Sequence, residues 1–161
     1  MTTSHNRSGR ADAPPKRPES VLVVVYTRSA EVLLLQRADD AAFWQSVTGS
    51  LEADELPAAT AARELQEETG LIAPHIEDCQ FRQYFEIRPQ WRYRYPPGTM
   101  RNLEHVFLAE FAHPDAAPVH LHAAEHTAYR WMPIVESIDA CWSSTNRNAI
   151  SRFVLPRFAT E

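Results

Sequence analysis

The residues between positions 56 and 69 restrict the fold more than any other stretch, because their composition favours a single helix. They are mainly Ala, Leu, Glu, Gln and Arg, which are strong helix formers. Pro57 falls in the first turn, where its missing N–H is not needed, and Gly70 follows the last turn, where a left-handed residue commonly ends a helix. The sequence therefore predicts a helix over residues 56–69.

Three glutamates lie near the end of this predicted helix, at Glu64, Glu67 and Glu68. Spacings of three and four residues put them on one face, where like charges destabilise a helix by about 0.2–0.5 kcal/mol per pair. The helix dipole also disfavours anions in the last turn. We expect a cation to compensate, either Arg63 or a bound hard cation such as Mg²⁺, which prefers carboxylate oxygens. A solvated acidic face is the alternative.

Strand patterns flank this helix on both sides. The runs SVLVVVY (residues 20–26) and EVLLLQR (residues 31–37) predict two strands, joined by a tight connection and buried on both faces. Residues 38–55 lack a clear period and predict a long loop. Further along, CQFRQYFEI, EHVFLAEF and TAYRWMP predict strands, and STNRNAISRFVL predicts a C-terminal helix.

Composition indicates one ordinary globular domain. The chain has 161 residues, of which 44% are apolar and 23% charged. Residues 1–15 are polar and predict a disordered tail, so residues 16–161 form the predicted domain. Cys79 and Cys141 are predicted to be reduced thiols. No stretch approaches the ~18 apolar residues of a membrane span, which favours a cytoplasmic protein without a membrane partner. The oligomeric state stays open.

The spacing around the glutamates is more specific than their charge. Residues 49–71 read GSLEADELPAATAARELQEETGL, with Gly49, Glu55 and the run RELQEETGL at fixed intervals. This pattern resembles the signature of the Nudix hydrolase family, with every defining position filled. The resemblance implies the Nudix fold, of class α/β (α+β), in which a mixed β-sheet is sandwiched between α-helices and the signature forms a loop–helix–loop.

The resemblance also implies which residues carry the chemistry. Glu64, Glu67 and Glu68 are expected to hold Mg²⁺, with Mn²⁺ as a substitute, on the phosphates of a small-molecule substrate. Together with Arg63, an orienting partner, they form the expected catalytic set. Glu125 lies outside the signature and is expected as a further metal ligand or general base, with a surface glutamate as the alternative. The base stays open among Glu64, Glu67 and Glu125.

Segments outside the signature resemble one branch of this family, which acts on dihydroneopterin triphosphate. These segments include KRPESVLVVVY, LLLQRADDAAFWQSVTGSLE, FEIRPQWRYRYPPGTMRNLEHVF and AEHTAYRWM. The branch resemblance implies hydrolysis of 7,8-dihydroneopterin triphosphate to the monophosphate and pyrophosphate in folate synthesis. Phe85 would stack on the pterin and Glu86 would accept from its amino group. The full set of expected substrate-binding residues is Lys16, Arg37, Thr48, Phe85, Glu86, Ile87 and Arg88.

Other functions remain open on the sequence alone. A hydrolase of dNTPs, with dATP-like substrates, would use the same metal chemistry, whereas a non-catalytic Nudix-like binding module would commonly lack the intact glutamate set. Interleaved arginines and aromatics in QYFEIRPQWRYRYPPGTMR are also typical of single-stranded nucleic-acid binders. The net charge of −5 argues against a nucleic-acid partner. His120, His122 and His126 suggest a transition-metal site on spacing alone, although oxygen-rich ligation fits Mg²⁺ better.

Overall fold

A seven-stranded mixed sheet forms the centre of the protein in a computed structural model that describes residues 14–159. The strands are β1 (Glu19–Thr27), β2 (Glu31–Arg37), β3 (Trp44–Gln45), β4 (Val47–Ser50), β5 (Ile76–Glu86), β6 (Arg101–Phe111) and β7 (His126–Pro133). Their order in the sheet is β3-β2-β1-β6-β5, with β4 paired to β1 and β7 paired to β2. β1 and β6 run parallel, whereas the other pairs are antiparallel.

Helices cover both faces of the sheet, as the predicted fold class requires. They are α1 (Pro57–Thr69), α2 (Ile134–Ala140) and α3 (Ser144–Ala149), and α3 continues through a π turn (Ile150–Val154) and a 3-10 turn (Leu155–Phe158). Alternate residues of β1 face opposite sides, so Val23 packs with α1 and Val24 packs with the C-terminal helices. Because both faces are covered, β1 is apolar along most of its length.

The end of α1 is confirmed. Gly70 has φ +72° and its N–H donates to the carbonyl of Gln66 at 2.8 Å. This left-handed residue stops the helix and turns the chain back towards the sheet.

Two sequence predictions about secondary structure were wrong in part, and one helix was missed. The long loop predicted for residues 38–55 contains β3 and β4, which are only two and four residues long and so show no period. α2 was not predicted. The single C-terminal helix is instead three successive segments with different turn types.

Two remaining predictions concern the thiols and the tail. Cys79 and Cys141 are both free thiols, and Cys141 is buried whereas Cys79 is half-buried. Of the predicted disordered tail, residues 1–13 lie outside the described part of the chain. Among residues 14–159, none of the helices combines the length and apolar character that crossing a bilayer would require.

The packing of α1 predicts a large effect at Leu65, which is 0% exposed and lies between α1 and the sheet. We expect Leu65→Ala to lower the free energy of unfolding by about 2–5 kcal/mol, since it removes buried methyl groups and leaves a cavity. Denaturant unfolding measures this change. The control is Ile72→Ala, at a side chain that is 76% exposed, which should change the value by no more than about 0.5 kcal/mol. Equal changes in the free energy of unfolding for the two substitutions would contradict the burial of Leu65 between α1 and the sheet.

Candidate metal centre and substrate cleft

The three glutamates of α1 lie in different environments although they share one face of the helix. Glu68 is 3% exposed, and its Oε2 accepts a hydrogen bond from the backbone N–H of Thr48 in β4 at 3.1 Å. Glu64 lies directly against Gly49, where a Cβ would be 2.1 Å from the Glu64 Cδ. The side chain of Glu67 is 56% exposed. Burial therefore separates three residues that the sequence treats alike.

Arg63 links these glutamates to the loop before α1. Its Nε and Nη2 donate to the two carboxylate oxygens of Glu55, both at 2.8 Å. Its Nη1 donates to Glu64 at 2.8 Å and to Glu67 at 3.1 Å. These bonds hold the pKa of Glu55 at about 2, mainly through Arg63. Arg63, one of the two cations that the sequence offers as compensation for the glutamates, therefore contacts Glu64 and Glu67, and its position is consistent with the orienting role.

Glu68 meets two residues from the other side of the cleft, Glu125 and His126 at the start of β7. Carboxylate and imidazole ligand atoms of these three residues all lie within 4.8 Å of one another. His126 is 3% exposed, and its Nδ1 has no hydrogen-bond partner among residues 14–159. Two carboxylates beside a buried, unpartnered imidazole nitrogen form a donor set that suits a divalent cation. Within the described residues, His120 and His122 do not join this group.

Burial and mutual repulsion both disfavour the ionised form of the acids at this end of the cleft. Burial raises the pKa of Glu68 well above its usual range, and the charges of Glu64 and Glu125 raise it further. Burial also raises the pKa of Glu64 to about 7, against the opposing effect of Arg63. A bound cation would relieve this repulsion and restore the ionised carboxylates. The residues present therefore fit a divalent metal.

A cleft of about 900 Å³ extends from this group across the sheet. Glu68, Glu125 and His126 line one part of it. Every substrate-binding residue that the sequence predicts also lines it, namely Lys16, Arg37, Thr48, Phe85, Glu86, Ile87 and Arg88. The cleft is therefore lined by all the predicted substrate-binding residues, although Ile87 is only 2% exposed. Of the predicted metal ligands, Glu68 and Glu125 line it, whereas Glu64 and Glu67 are not among its lining residues.

Cations lie beside the carboxylates in this cleft. The Lys16 ammonium is desolvated, which lowers its pKa, and Arg94 and Arg37 lower it further while Glu64 and Glu125 oppose them. The Arg37 guanidinium donates twice to Asp39, at 2.8 Å each, and lies 4.4 Å from the centroid of the Trp91 ring. Positive groups held in this way suit the oxygens of a phosphate chain.

Aromatic side chains form another wall. Phe43 stacks on Trp142 with ring centroids 4.9 Å apart, and Trp91 meets both rings edge-on at 6.1 and 5.4 Å. The Trp142 indole N–H donates to Gln45 at 2.9 Å, and the Arg88 guanidinium lies 5.1 Å from the Phe43 centroid. Sequence reasoning missed Trp142, since no pattern in CWSSTNRNAI connects it with Phe43.

Glu104 on β6 is the other residue that sequence reasoning missed. It lines the cleft, is 4% exposed and accepts a hydrogen bond from the Gln83 side-chain amide at 3.2 Å. Burial raises its pKa to about 7, while hydrogen bonds from Thr145 and Gln83 oppose that shift. In the sequence this glutamate looks like the polar start of a strand. Its place in the cleft depends on the register of β6 against β1 and β5, which no local pattern predicts.

Comparison with known proteins gives the class of protein. The chain matches the NUDIX domain over residues 16–153. It therefore belongs to the Nudix family and is a Nudix hydrolase. Nudix hydrolases typically use a divalent metal, in agreement with the donor set around Glu68.

Among its relatives, the dihydroneopterin triphosphate diphosphatase of Escherichia coli (strain K12) is 42% identical over 147 residues, which cover 87% of this chain and 94% of that protein. The enzyme of the same name from Haemophilus influenzae is 40% identical over 144 residues, covering 86% of this chain and 89% of the relative. The solved structure of the E. coli dihydroneopterin triphosphate pyrophosphohydrolase matches with a TM-score of 0.83 at 39% identity, over 89% of this chain and 99% of that one.

The contact between Gly49 and Glu64 predicts that a single methyl group at position 49 displaces the Glu64 carboxylate. We expect Gly49→Ala to lower kcat/KM by about tenfold or more, roughly 1.4 kcal/mol. The double variant Gly49→Ala, Glu64→Ala tests whether the loss comes from displacing Glu64, because the three atoms nearest to the added Cβ all belong to that residue. In the Glu64→Ala background the second substitution should cost little further activity. Fully additive losses would contradict the explanation.

Burial of Glu68 among other acids predicts that its charge serves metal binding and opposes stability. We expect Glu68→Gln to lower kcat/KM by about 100-fold or more, roughly 2.7 kcal/mol. The midpoint of thermal unfolding without metal should stay the same or rise, since the amide avoids the cost of burying an acid beside Glu64 and Glu125, which raises the pKa of Glu68. Glu136→Gln, at an exposed position of α2, is the control for both measurements. Near-normal turnover of the Glu68 variant would refute its assignment as a ligand.

Proposed function

We propose that the protein is a Mg²⁺-dependent diphosphatase that converts 7,8-dihydroneopterin triphosphate to dihydroneopterin monophosphate and pyrophosphate. The observation that carries this proposal is the identity of about 40% to proteins named for that activity, over nearly their whole length. The composition of the cleft supports it, because carboxylates and cations adjoin a wall of aromatic rings. The ligand is a small-molecule triphosphate, without a nucleic-acid or membrane partner.

Glu68, Glu125 and His126 would hold the metal, and Glu64 lies close enough to act on the charge of Glu68. Glu67, which is 56% exposed and pairs with Arg63, is retained only as a further candidate ligand. When bound by these residues, Mg²⁺, or Mn²⁺ in its place, would supply positive charge to offset the phosphate oxygens and to make the attacking water more acidic. Mg²⁺ is favoured over softer ions because carboxylate oxygens predominate in this set.

The other residues of the cleft position the substrate. Lys16 and Arg37 neutralise phosphate oxygens, and Arg37 is already oriented by Asp39. Thr48 lines the cleft and its backbone N–H donates to Glu68, so we assign Thr48 to the phosphate end of the substrate. The proton of the attacking water passes to one of Glu64, Glu67 and Glu125. Arg63 contacts Glu64 and Glu67 and holds them in place.

Phe85 and Arg88 lie among the residues that we assign to the ring-binding part of the cleft. Glu86 and Ile87 line the same part. A role in folate synthesis follows from the proposed substrate. The cytoplasmic location predicted from the sequence stays a prediction.

The test is pyrophosphate release in Mg²⁺ with dihydroneopterin triphosphate and with each of the four dNTPs. We expect kcat/KM for the pterin substrate to exceed every dNTP by tenfold or more, about 1.4 kcal/mol of differential transition-state binding. The Glu68→Gln protein, prepared in the same way, measures the background from contaminating phosphatases. A preference for a dNTP would retain the Nudix chemistry and reject the pterin assignment. No pyrophosphate from any substrate would favour the non-catalytic module.

A further inference from the structure

We infer that Glu104 determines specificity in this cleft, and that its carboxylate binds the paired N–H groups of a 2-amino-4-oxopyrimidine ring. That edge carries a ring N–H next to an amino group, and pterins and guanine share it. The inference deepens the proposed function, because it concerns the ring end of the same cleft.

Strand register places Glu104 in a band of polar side chains. Ser20 in the central strand β1 pairs with Ser50 of β4 on one side and with Glu104 of β6 on the other. Glu104 also pairs with Gln83 of β5. Side chains of direct cross-strand partners lie on the same face of a sheet. Ser20, Ser50 and Glu104 all line the cleft. These polar residues therefore lie at the boundary between the cleft and the apolar core on the same face of the sheet.

The Glu104 carboxylate lacks a cationic partner. Its hydrogen bonds come from Gln83 and Thr145, which are both neutral. No salt bridge reaches Glu104 within residues 14–159. A carboxylate has about four acceptor sites, so two bonds leave room for further donors. Burying such a group without compensation costs free energy, and buried acids in clefts are frequently functional for that reason.

The donor that fits is a pair of adjacent N–H groups on a planar ring. A carboxylate can accept two parallel hydrogen bonds, one at each oxygen. Adenine and cytosine place an acceptor nitrogen next to their amino group, and thymine places its single ring N–H between two carbonyls. Each of these rings would bring a lone pair against a Glu104 oxygen. A site built for a hydrogen-bonded edge rejects rings that lack it, because its buried polar groups are left unpaired.

The distance between the two ends of the cleft suits one ligand. Glu104 and Ser50 are separated by two strand spacings, about 10 Å in all. Thr48, two residues before Ser50 on β4, contacts Glu68 at 3.1 Å. A ligand can therefore place its ring at Glu104 while its phosphates reach the carboxylates around Glu68.

Glu104 thus takes the role of accepting hydrogen bonds from the pterin amino group, which the sequence predicts for Glu86. On β5, the half-buried residues Gln83 and Phe85 alternate with the exposed residues Tyr84 and Glu86. Gln83 contacts Glu104, so the cleft face of β5 is the one that carries Gln83 and Phe85. Glu86 also lines the cleft, but it is an exposed residue whereas Glu104 is buried. Phe85 therefore remains suited to ring contact, and Glu104 supplies the carboxylate.

The test compares substrates within one variant. Glu104→Gln keeps the shape of the side chain but replaces one acceptor oxygen with an N–H₂ group, which faces a donor of the ring. We expect kcat/KM to fall tenfold or more for dihydroneopterin triphosphate and for dGTP, and to change less than threefold for dATP and dCTP. Glu110→Gln, the same substitution at an exposed position of the same strand, should leave all four unchanged.

Equal losses on all four substrates would overturn the inference, since damage to folding or to metal binding does not distinguish rings. If the wild-type enzyme prefers a dNTP, the proposed function fails, but the ratio of dGTP to dATP in the two proteins still tests Glu104.

A second measurement uses the wild-type protein and needs no variant to fold. Dihydroneopterin without phosphates should inhibit the hydrolysis competitively, and it should do so at tenfold lower concentration than adenosine. Inhibition by dihydroneopterin that is no stronger than by adenosine would contradict a ring site at Glu104.

Discussion

The contact between the last turns of α1 and strand β4 is the constraint on which the rest of the site depends. Glu68 accepts the backbone N–H of Thr48, and Glu64 lies directly against Gly49. Both contacts bring acids into a partly desolvated place where they repel one another. Leu65, on the same helix, is fully buried against the sheet, and burying a side chain of this size contributes about 1.5–3 kcal/mol. Apolar packing of α1 thus helps to offset the electrostatic cost of its acids.

Local patterns in the sequence predict the elements whose stability is local. The helix formers between Pro57 and Gly70 predict α1 and its end, and β-branched runs predict β1 and β2. β3 and β4 were not predicted because strands of two and four residues are too short to show a period. They are stabilised by pairing with the longer strands β2 and β1, so their own residues do not indicate them.

The same distinction applies to the site. The spacing of the signature predicts the carboxylates of α1, since their separation along one helix determines their face. It does not predict that Glu68 is buried while Glu67 is largely exposed, because that depends on how α1 packs against β4. His126 and Glu104 enter the cleft through the registers of β7 and β6. Such registers link residues far apart in sequence, so composition and spacing carry no signal for Glu104. The spacing of the histidines singles out His126 only together with His120 and His122, which do not join Glu68 and Glu125 among the described residues.

The residues around Glu68 and Glu104, two buried acids of the same cleft, suit them to different ligands. Burial raises the pKa of both Glu68 and Glu104. Glu68 is surrounded by further acids, so a metal cation relieves its repulsion, whereas Glu104 is surrounded by neutral donors, so polar N–H groups suffice. The pair also defines a direction for the ligand. A triphosphate bound in reverse would bring its anionic oxygens against Glu104 and leave the acids around Glu68 without their counter-charge, so only one orientation satisfies both ends.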